Sequence, residues 1–588
     1  MLKLLIGLIL ILIPFLLVNR FSNKKLGFFC VFSGMIGFIL VASVFTQLFH
    51  IFTYNVLLAI FIIVSVLIVA YSYKKDNVKK IKIDWILLLV IAVLFFQLYS
   101  VHFNYSGKIS TINGYDDVKN AKFVYPYYSD EWVGVSLIKY SISSKSLPFA
   151  NPLFEGKVFY NLEFGFHSFL SGIFLLFGFD ALNDYTKISL FFGMLICILS
   201  YLLLRENNIS RLNSAIASIS IPFIVNGVNL PGIWYLMPFT IGMACLLLGF
   251  IFISINSRKM SILISFLILL FYPPLFVFYT FSLIFYFNFS DFSKKDKIKY
   301  LGIYLGICSL VAVFLSVYVF IMKDYSIVKT LDFILSKIFF STLTENAIPD
   351  YSIWKVIPIP LLLIGLFGLI IAFRKKMWLS SVVIVGFIYW SLYSQYLWRF
   401  IIEYQRDVVV TSILIVIFCG FGLEYLLEKL VKYNYVKKYR LDLCLQIAII
   451  LIILFFSFNY TKINNWEELK LRDLKTDKLL SPAAPATNYF VEDDLNLFRE
   501  INKSRFLSVP WKGLVIGTAT GNYPLDTKPS TITVKKLPYS DFISGDCSKK
   551  NELALVNKIK YIYSTEFKCD NFVFIGKSSE NFYLYEFK

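Results

Sequence analysis

The sequence predicts an all-α polytopic membrane bundle with a small soluble α/β domain at its C-terminal end, and three observations carry that prediction. Apolar side chains make up 58% of the 588 residues, 18% are aromatic and the mean hydropathy is +0.69, beyond the roughly 45–50% apolar share of ordinary globular domains. The apolar residues fall in runs of about 20, the length that carries a helix across about 30 Å of hydrocarbon. Alternating segments of about ten residues, the mark of a membrane barrel, do not occur.

In order, the runs cover 2–18, 26–48, 51–71, 85–104, 184–204, 211–226, 234–255, 261–272, 274–288, 299–321, 354–373, 377–397, 407–428 and 443–459. The first resembles a signal peptide in its single early lysine, but no small-residue cleavage site follows it, so it reads as a membrane helix. Lys and Arg gather between runs, at 74–82, 205–211, 258–259, 294–299, 374–376 and 429–440. Cytoplasmic loops carry such an excess, and two conditions place every cluster inside. The stretch 163–179 must lie at the outer interface without spanning. The run broken at Tyr272-Pro273-Pro274 must turn at the outer face as two short helices, because proline removes a backbone donor and restricts the residue before it. The topology then has about fourteen crossings, with the N-terminus and everything after Tyr460 outside.

This divides the chain into a transmembrane module, 1–459, whose outer loop 105–183 holds juxtamembrane helices, and an extracytoplasmic domain, 460–588. The net charge of +19 sits in the short basic loops. With no basic helix or RNA-binding signature it is a topology signal, and nucleic acid is not an expected partner. Six cysteines, Cys30, Cys197, Cys245, Cys308, Cys419 and Cys444, lie in apolar runs and act as small apolar side chains. Cys547 and Cys569 lie in the polar C-terminal region, where an outer location permits a disulfide. A linker at Pro482-Ala-Ala-Pro485 precedes β-rich runs at 513–516, 531–534, 559–564, 572–575 and 582–587, which suggests a small α/β domain. Gly517-Thr-Ala-Thr-Gly521 lacks the lysine of a phosphate-binding loop, so this domain is expected to bind an acceptor or cover the site.

The richest functional signal is Tyr127-Tyr128-Ser129-Asp130-Glu131-Trp132, in the first outer loop. Ser129 reads as the N-cap of an amphipathic helix, and first-turn carboxylates there also fit simple capping, worth a few tenths to about 1 kcal/mol. Tyr125, Tyr127 and Tyr128 cluster just upstream, and 146–162 is rich in Pro, Asn, Gly and aromatics. Glu163 and His167, four apart, share one helical face. This is the composition of a sugar-sized polar pocket, in which a carboxylate can abstract a hydroxyl proton. His167 also fits a satisfied interfacial histidine, as do His50 and His102 at helix ends.

These features, with Asn151-Pro152-Leu153, Tyr160-Asn-Leu-Glu-Phe-Gly-Phe-His167 and Leu176-Phe-Gly-Phe-Asp180 ahead of the next span, resemble the GT-C superfamily of polytopic glycosyltransferases over roughly 85–460. That resemblance implies sugar transfer from a polyprenyl-phosphate carrier to a glycan, lipid or protein acceptor at the outer membrane face. Asp130 matches the loop aspartate that such enzymes use as general base or, in the oligosaccharyltransferase branch, as a metal ligand, and Glu131 is its neighbour. Trp398-Arg399-Phe-Ile-Ile-Glu403-Tyr-Gln-Arg406-Asp407 resembles the late arginine motif thought to hold the carrier phosphate. Arg399 and Arg406 also fit snorkelling arginines paired with Glu403 or Asp407.

Two departures matter. The turn at 226–232 lacks a second acidic motif, although Asp324, Asp332, Glu345 or Asp350 could substitute, and the C-terminal domain lacks the Trp-Trp-Asp signature of oligosaccharyltransferases. The expectation is therefore a metal-independent enzyme, with a divalent metal left open, and away from protein N-glycosylation. Three other readings remain: a transporter or flippase of lipid-linked glycans, for which intramembrane charges and repeats are wanting; an O-antigen-type polymerase or ligase; and a non-catalytic assembly protein. The Lys, Ile and Asn bias fits an AT-rich prokaryote, so the expected location is a prokaryotic cell membrane.

Overall fold

The computed structural model describes residues 26–73, 84–111, 114–159, 161–224, 233, 235–290, 293–323, 326–334, 347–349, 353–375, 377–396, 402–431, 441–458, 471–473, 479–480, 490–499, 501, 503–528 and 532–588. The expected helix at 2–18, the lysines at 74–82, the 226–232 turn, Asp324, Glu345, Asp350, Arg399 and the linker at 482–485 lie outside the described residues.

Three uniformly apolar helices come first, α1 (Leu26–Leu48), α2 (Tyr54–Tyr73) and α3 (Trp85–Phe103). An antiparallel hairpin of β1 (Asn104–Thr111) and β2 (Gly114–Lys122) follows. The sequence reading did not foresee it. Its strands are too polar to show alternation.

The bundle continues with α4 (Ser129–Ser144), α5 (Phe164–Phe177), α6 (Ala181–Glu206), α7 (Arg211–Ser220), α8 (Pro238–Ser254), α9 (Arg258–Phe271) and α10 (Phe276–Phe289). A 3₁₀ turn at Pro273–Leu275 separates α9 from α10, so the expected proline break is present. Next come α11 (Lys294–Lys323), α12 (Ile327–Ile334), β3 (Ala347–Pro349), α13 (Ile353–Val356), α14 (Ile359–Arg374), α15 (Trp378–Tyr396), α16 (Tyr404–Val431) and α17 (Leu441–Phe458).

Among the described residues three helical stretches, Ala181–Glu206, Lys294–Phe314 and Tyr404–Leu430, are long and apolar enough to cross a membrane, and eight further apolar helices are shorter. The apolar runs had suggested about fourteen crossings. Prolines shorten several of them: Pro222 lies two residues past the end of α7, Pro238 opens α8, and Pro360 sits in the first turn of α14.

Small residues let α14 pack closely against α16. A Cβ on Gly365 would stand 2.5 Å from the Ile415 carbonyl oxygen, and one on Gly422 2.5 Å from that of Ile364. Glycine therefore permits a backbone approach that any side chain would prevent, as is common between helices in lipid.

Beyond the bundle, β4 (Leu471–Asp473) pairs antiparallel with both β3 and β5 (Leu479–Leu480) as the centre of a three-stranded sheet. The C-terminal unit contains α18 (Glu492–Arg499), β6 (Arg505–Ser508), α19 (Pro510–Thr520), β7 (Tyr523–Pro524), α20 (Tyr539–Ile543), α21 (Cys547–Asn557), β8 (Tyr561–Ser564), β9 (Phe572–Lys577) and β10 (Tyr583–Phe587). Its sheet runs β7-β6-β8-β10-β9, with β6 parallel to β7 and β8, and β10 antiparallel to β8 and β9. The expected strand at 513–516 is instead helix α19. A short apolar run does not distinguish a buried strand from a buried helix, and Pro510 at the first helical position favours the helix. Cys547 and Cys569 form a disulfide. Lys512, fully buried, pairs with Asp494 and Glu580, and the Tyr563 hydroxyl donates to Asp494.

This unit is seated on α4. Lys139 Nζ donates to the Thr518 and Ala519 carbonyls at 3.0 and 2.6 Å, and the Phe490 ring stands edge-on to Tyr125 and Trp132, at 4.9 and 5.8 Å.

Candidate active site

The start of α4 is fixed by buried polar bonds. Tyr128, in extended conformation, is the N-cap, one residue before the expected Ser129. Tyr127 Oη donates to the His102 carbonyl at 2.7 Å, which ties the loop to the end of α3. Trp132 is fully buried, and its Nε1 donates to the Pro126 carbonyl at 2.9 Å.

Glu131 turns inward. Its Oε2 accepts from the backbone N–H groups of Tyr127 and Tyr128, at 3.2 and 3.4 Å, and its Oε1 from that of Leu236, at 3.2 Å. Burial pushes its carboxyl up to about 8 against the opposing pull of those three donors, with the Asp130 charge adding to the rise. Tyr128 Oη meets Tyr235 Oη at 2.7 Å, and Tyr185 Oη donates to the Leu236 carbonyl at 2.7 Å. Together these bonds anchor 235–237 against α4.

Asp130, next in the helix, points the other way, is exposed, and faces a cavity of about 200 Å³. Glu163, His167, Glu403 and Arg406 line the same cavity. Its walls come from Val133, Phe159, Phe166, Met237, Pro238, Phe239 and Tyr272. Four separate regions thus converge: the start of α4, the loop into α5, the entry to α8 with the end of α9, and the start of α16.

Asn161 organises the α5 side. Its Oδ1 accepts from the Glu163 N–H at 3.0 Å and its Nδ2 donates to the Pro148 carbonyl at 3.1 Å. His167 Nδ1 lies 3.0 Å from the Glu163 carbonyl and 3.2 Å from Asn161 Nδ2, donating to the first in one tautomer and accepting from the second in the other, so the imidazole is held by backbone or amide rather than by the Glu163 carboxylate. Burial, followed by the Asp130 charge, pushes the Glu163 carboxyl up to about 7, while Arg406 pulls it down and Glu403 adds to the rise.

Arg406 extends over the Phe239 ring, its guanidinium carbon 5.2 Å from the centroid, with Nε 3.6 Å from Glu403 Oε2. Nε and Nη1 are buried and have no hydrogen-bond partner. The neighbouring Asp407 is fully buried and accepts from Thr411 Oγ1 at 3.4 Å.

Of the residues expected from sequence, the structure therefore brings together Asp130, Glu163, His167, Glu403 and Arg406. Glu131, Tyr127 and Tyr128 stand behind the cavity wall and hold it in place. Sequence reasoning missed Phe159, Phe239 and Tyr272. Tyr272 was within reach, since the residue ahead of a Pro-Pro break ends a helix and faces whatever the break surrounds. Among the described residues no three His, Cys, Asp or Glu side chains stand close enough to hold a metal ion.

No protein-family model matches the chain, and neither does any curated protein sequence. Among solved structures it is similar to the oligosaccharyltransferase of Archaeoglobus fulgidus. The apo form is 11% identical with a TM-score of 0.49, and the complex with an inhibitory peptide and a dolichol-phosphate is 11% identical with a TM-score of 0.47. The form tethered to an acceptor peptide containing the NVT sequon is 14% identical with a TM-score of 0.45. Each match covers 82% of this chain and 69% of that one. At this distance the likeness assigns a role to no residue.

Proposed function

We propose that this chain transfers a sugar, with inversion, from a polyprenyl-phosphate carrier to a hydroxyl of a glycan, lipid or protein acceptor, at the outer face of the membrane. The observation that carries the reading is the shared cavity: Asp130 and Arg406, 276 residues apart in the numbering, line one space of about 200 Å³.

In this reading Asp130 removes the acceptor hydroxyl proton as the oxygen attacks the anomeric carbon. The carbon–oxygen bond to phosphate breaks and the carrier phosphate leaves as an anion, so no covalent enzyme intermediate forms. A base at hydrogen-bond reach contributes about 10²- to 10⁴-fold. Arg406 offers two buried donors without partners, and a guanidinium fork suits phosphate oxygens. Glu403 holds that fork loosely enough for phosphate to replace it. Aromatic walls at Phe159, Phe239 and Tyr272 exclude water from the sugar. The structural neighbours bind an acceptor peptide and a dolichol-phosphate, which fits a lipid-linked donor here.

The test uses membranes carrying the wild type or Asp130→Asn with labelled polyprenyl-phosphate sugars. Transfer by the wild type and its loss in the variant are expected. Transfer that survives Asp130→Asn would sink the base assignment, and no transfer from any carrier would favour a transporter or an assembly protein.

A further inference from the structure

A second and larger cavity, of about 470 Å³, lies between α4, the 150–158 segment and the C-terminal unit. The transfer step leaves it unused. Lys139 and Tyr140 of α4, Phe154 and Lys157 of the loop, and Lys503 and Tyr523 of the C-terminal unit line it.

Its charge is one-sided. Lys157 and Lys503 are exposed and held by rings: Lys157 Nζ stands 5.0 Å from the Phe154 centroid, and Lys503 Nζ 4.5 Å from that of Tyr523. A ring face positions an ammonium at about 0.5–1 kcal/mol when exposed, but it does not cancel the charge. Lys139 is spent on the carbonyls that end α19. Among the described residues the lining has one carboxylate, Glu155, and it pairs with Arg505 at 3.0 Å. The space therefore keeps a positive potential that favours anions. Neutral hydroxyl and amide groups at Ser143, Asn151 and Thr520 supply hydrogen bonds beside it.

The groove adjoins the candidate active site. Asp130 and Val133 line the catalytic cavity, while Ser136 and Tyr140 line the groove. Steps of three and four place all four on one face of α4, and ten residues of helix span about 15 Å. Val158 borders the groove and the next residue, Phe159, the cavity.

We propose that this groove binds the acceptor, and that the acceptor is an anionic glycan, an oligosaccharide bearing carboxylate or phosphate groups whose hydroxyl reaches Asp130. The proposal rests on the transfer reading above for the direction of the chain, but its binding claim is measurable alone. A phospholipid headgroup shares the anionic chemistry. The C-terminal unit forming one wall, and the continuity with the Asp130 cavity, favour an extended glycan.

The test uses the full chain in phosphatidylcholine nanodiscs and fluorescence anisotropy with three labelled probes: hexameric oligogalacturonate, a glycerol-phosphate hexamer and neutral maltohexaose. At least one anionic probe should bind tenfold or more tighter than maltohexaose, and added salt should weaken it. The charge reversals Lys157→Glu and Lys503→Glu together should weaken it tenfold or more, and Lys157→Arg with Lys503→Arg should retain it. Equal binding of neutral and anionic probes, or indifference to charge reversal, overturns the proposal. Loss of glycan binding in phosphatidylglycerol nanodiscs, dependent on the same lysines, assigns the groove to lipid and also overturns it. Anionic binding without sugar transfer by the wild type sinks the transfer reading alone; transfer without anionic preference sinks the groove alone.

Discussion

Arg406 Nε stands 3.6 Å from Glu403 Oε2, beyond hydrogen-bond range, and Nε and Nη1 are buried with no hydrogen-bond partner. A buried guanidinium so short of acceptors is costly unless a ligand completes it. Hydrogen bonds to charged groups contribute about 1.5–3 kcal/mol each. Arg406→Ala should therefore weaken binding of undecaprenyl phosphate about 10- to 100-fold in a titration, and Arg406→Lys about tenfold, because lysine keeps the charge and loses the fork. Unchanged affinity in both variants would remove Arg406 from the phosphate role.

Asp130 is exposed to the cavity, so its substitution should separate chemistry from folding. Asp130→Asn should lower kcat about 10²- to 10⁴-fold, with carrier affinity and melting temperature close to wild type. A matching fall in melting temperature would mean the residue is a helix cap and nothing more.

Glu131 should behave in the opposite way. Alanine in its place leaves the N–H groups of Tyr127, Tyr128 and Leu236 without their acceptor, and a buried donor so orphaned costs about 1–3 kcal/mol. Thermal unfolding of Glu131→Ala should fall by several degrees. Its folded carboxyl is raised to about 8 from 4.5, so its contribution is complete below the unfolded value and is lost as pH rises toward 8. Wild-type stability should therefore decline between about pH 5 and 8, by up to about 1.4 kcal/mol per unit for one proton, and Glu131→Gln should flatten the profile. A flat wild-type profile refutes this role.

The contrast between these neighbours shows what the sequence could carry. The dipeptide Asp130-Glu131 was legible as a pair, and the apolar runs placed most helices within a few residues. Which carboxylate faces the cavity depends on the Leu236 N–H, 105 positions away, and local pattern has no access to that. The hairpin strands at 104–111 and 114–122 were illegible because their sequence is too rich in Lys, Asp and Asn to alternate apolar with polar. Helix α19 read as a strand because a four-residue apolar run fits either period. Glu163 and Arg406 stand in separate motifs with nothing local to join them, and the aromatic walls at Phe239 and Tyr272 likewise depend on how α8 meets α9.

The Cys547–Cys569 bridge closes a separation of 22 residues. Chain-entropy reasoning puts such a loop near 3 kcal/mol. Cys547→Ser with Cys569→Ser should lower the stability of the C-terminal unit by roughly that amount in denaturant unfolding, while leaving carrier binding intact. Carrier binding lost along with the bridge would show that the catalytic cavity depends on this unit.

Glu163 gives the cavity its pH dependence. Its carboxyl, raised to about 7, is mostly protonated below that value and adds a negative charge to the cavity above it. A phosphodiester-linked sugar keeps a single negative charge throughout this range, so the change in affinity reports on the protein. Measured in the wild type with a non-transferable phosphonate analogue of the donor to prevent turnover, affinity should fall roughly tenfold as pH rises from 6 to 8, the effect of a like-charge interaction near 1.4 kcal/mol in a partly hydrated space. Glu163→Gln should bind the donor with the same affinity at both values, close to that of its parent at pH 6. If affinity falls equally in the glutamine variant, the titrating group lies elsewhere and Glu163 does not govern the charge around Arg406.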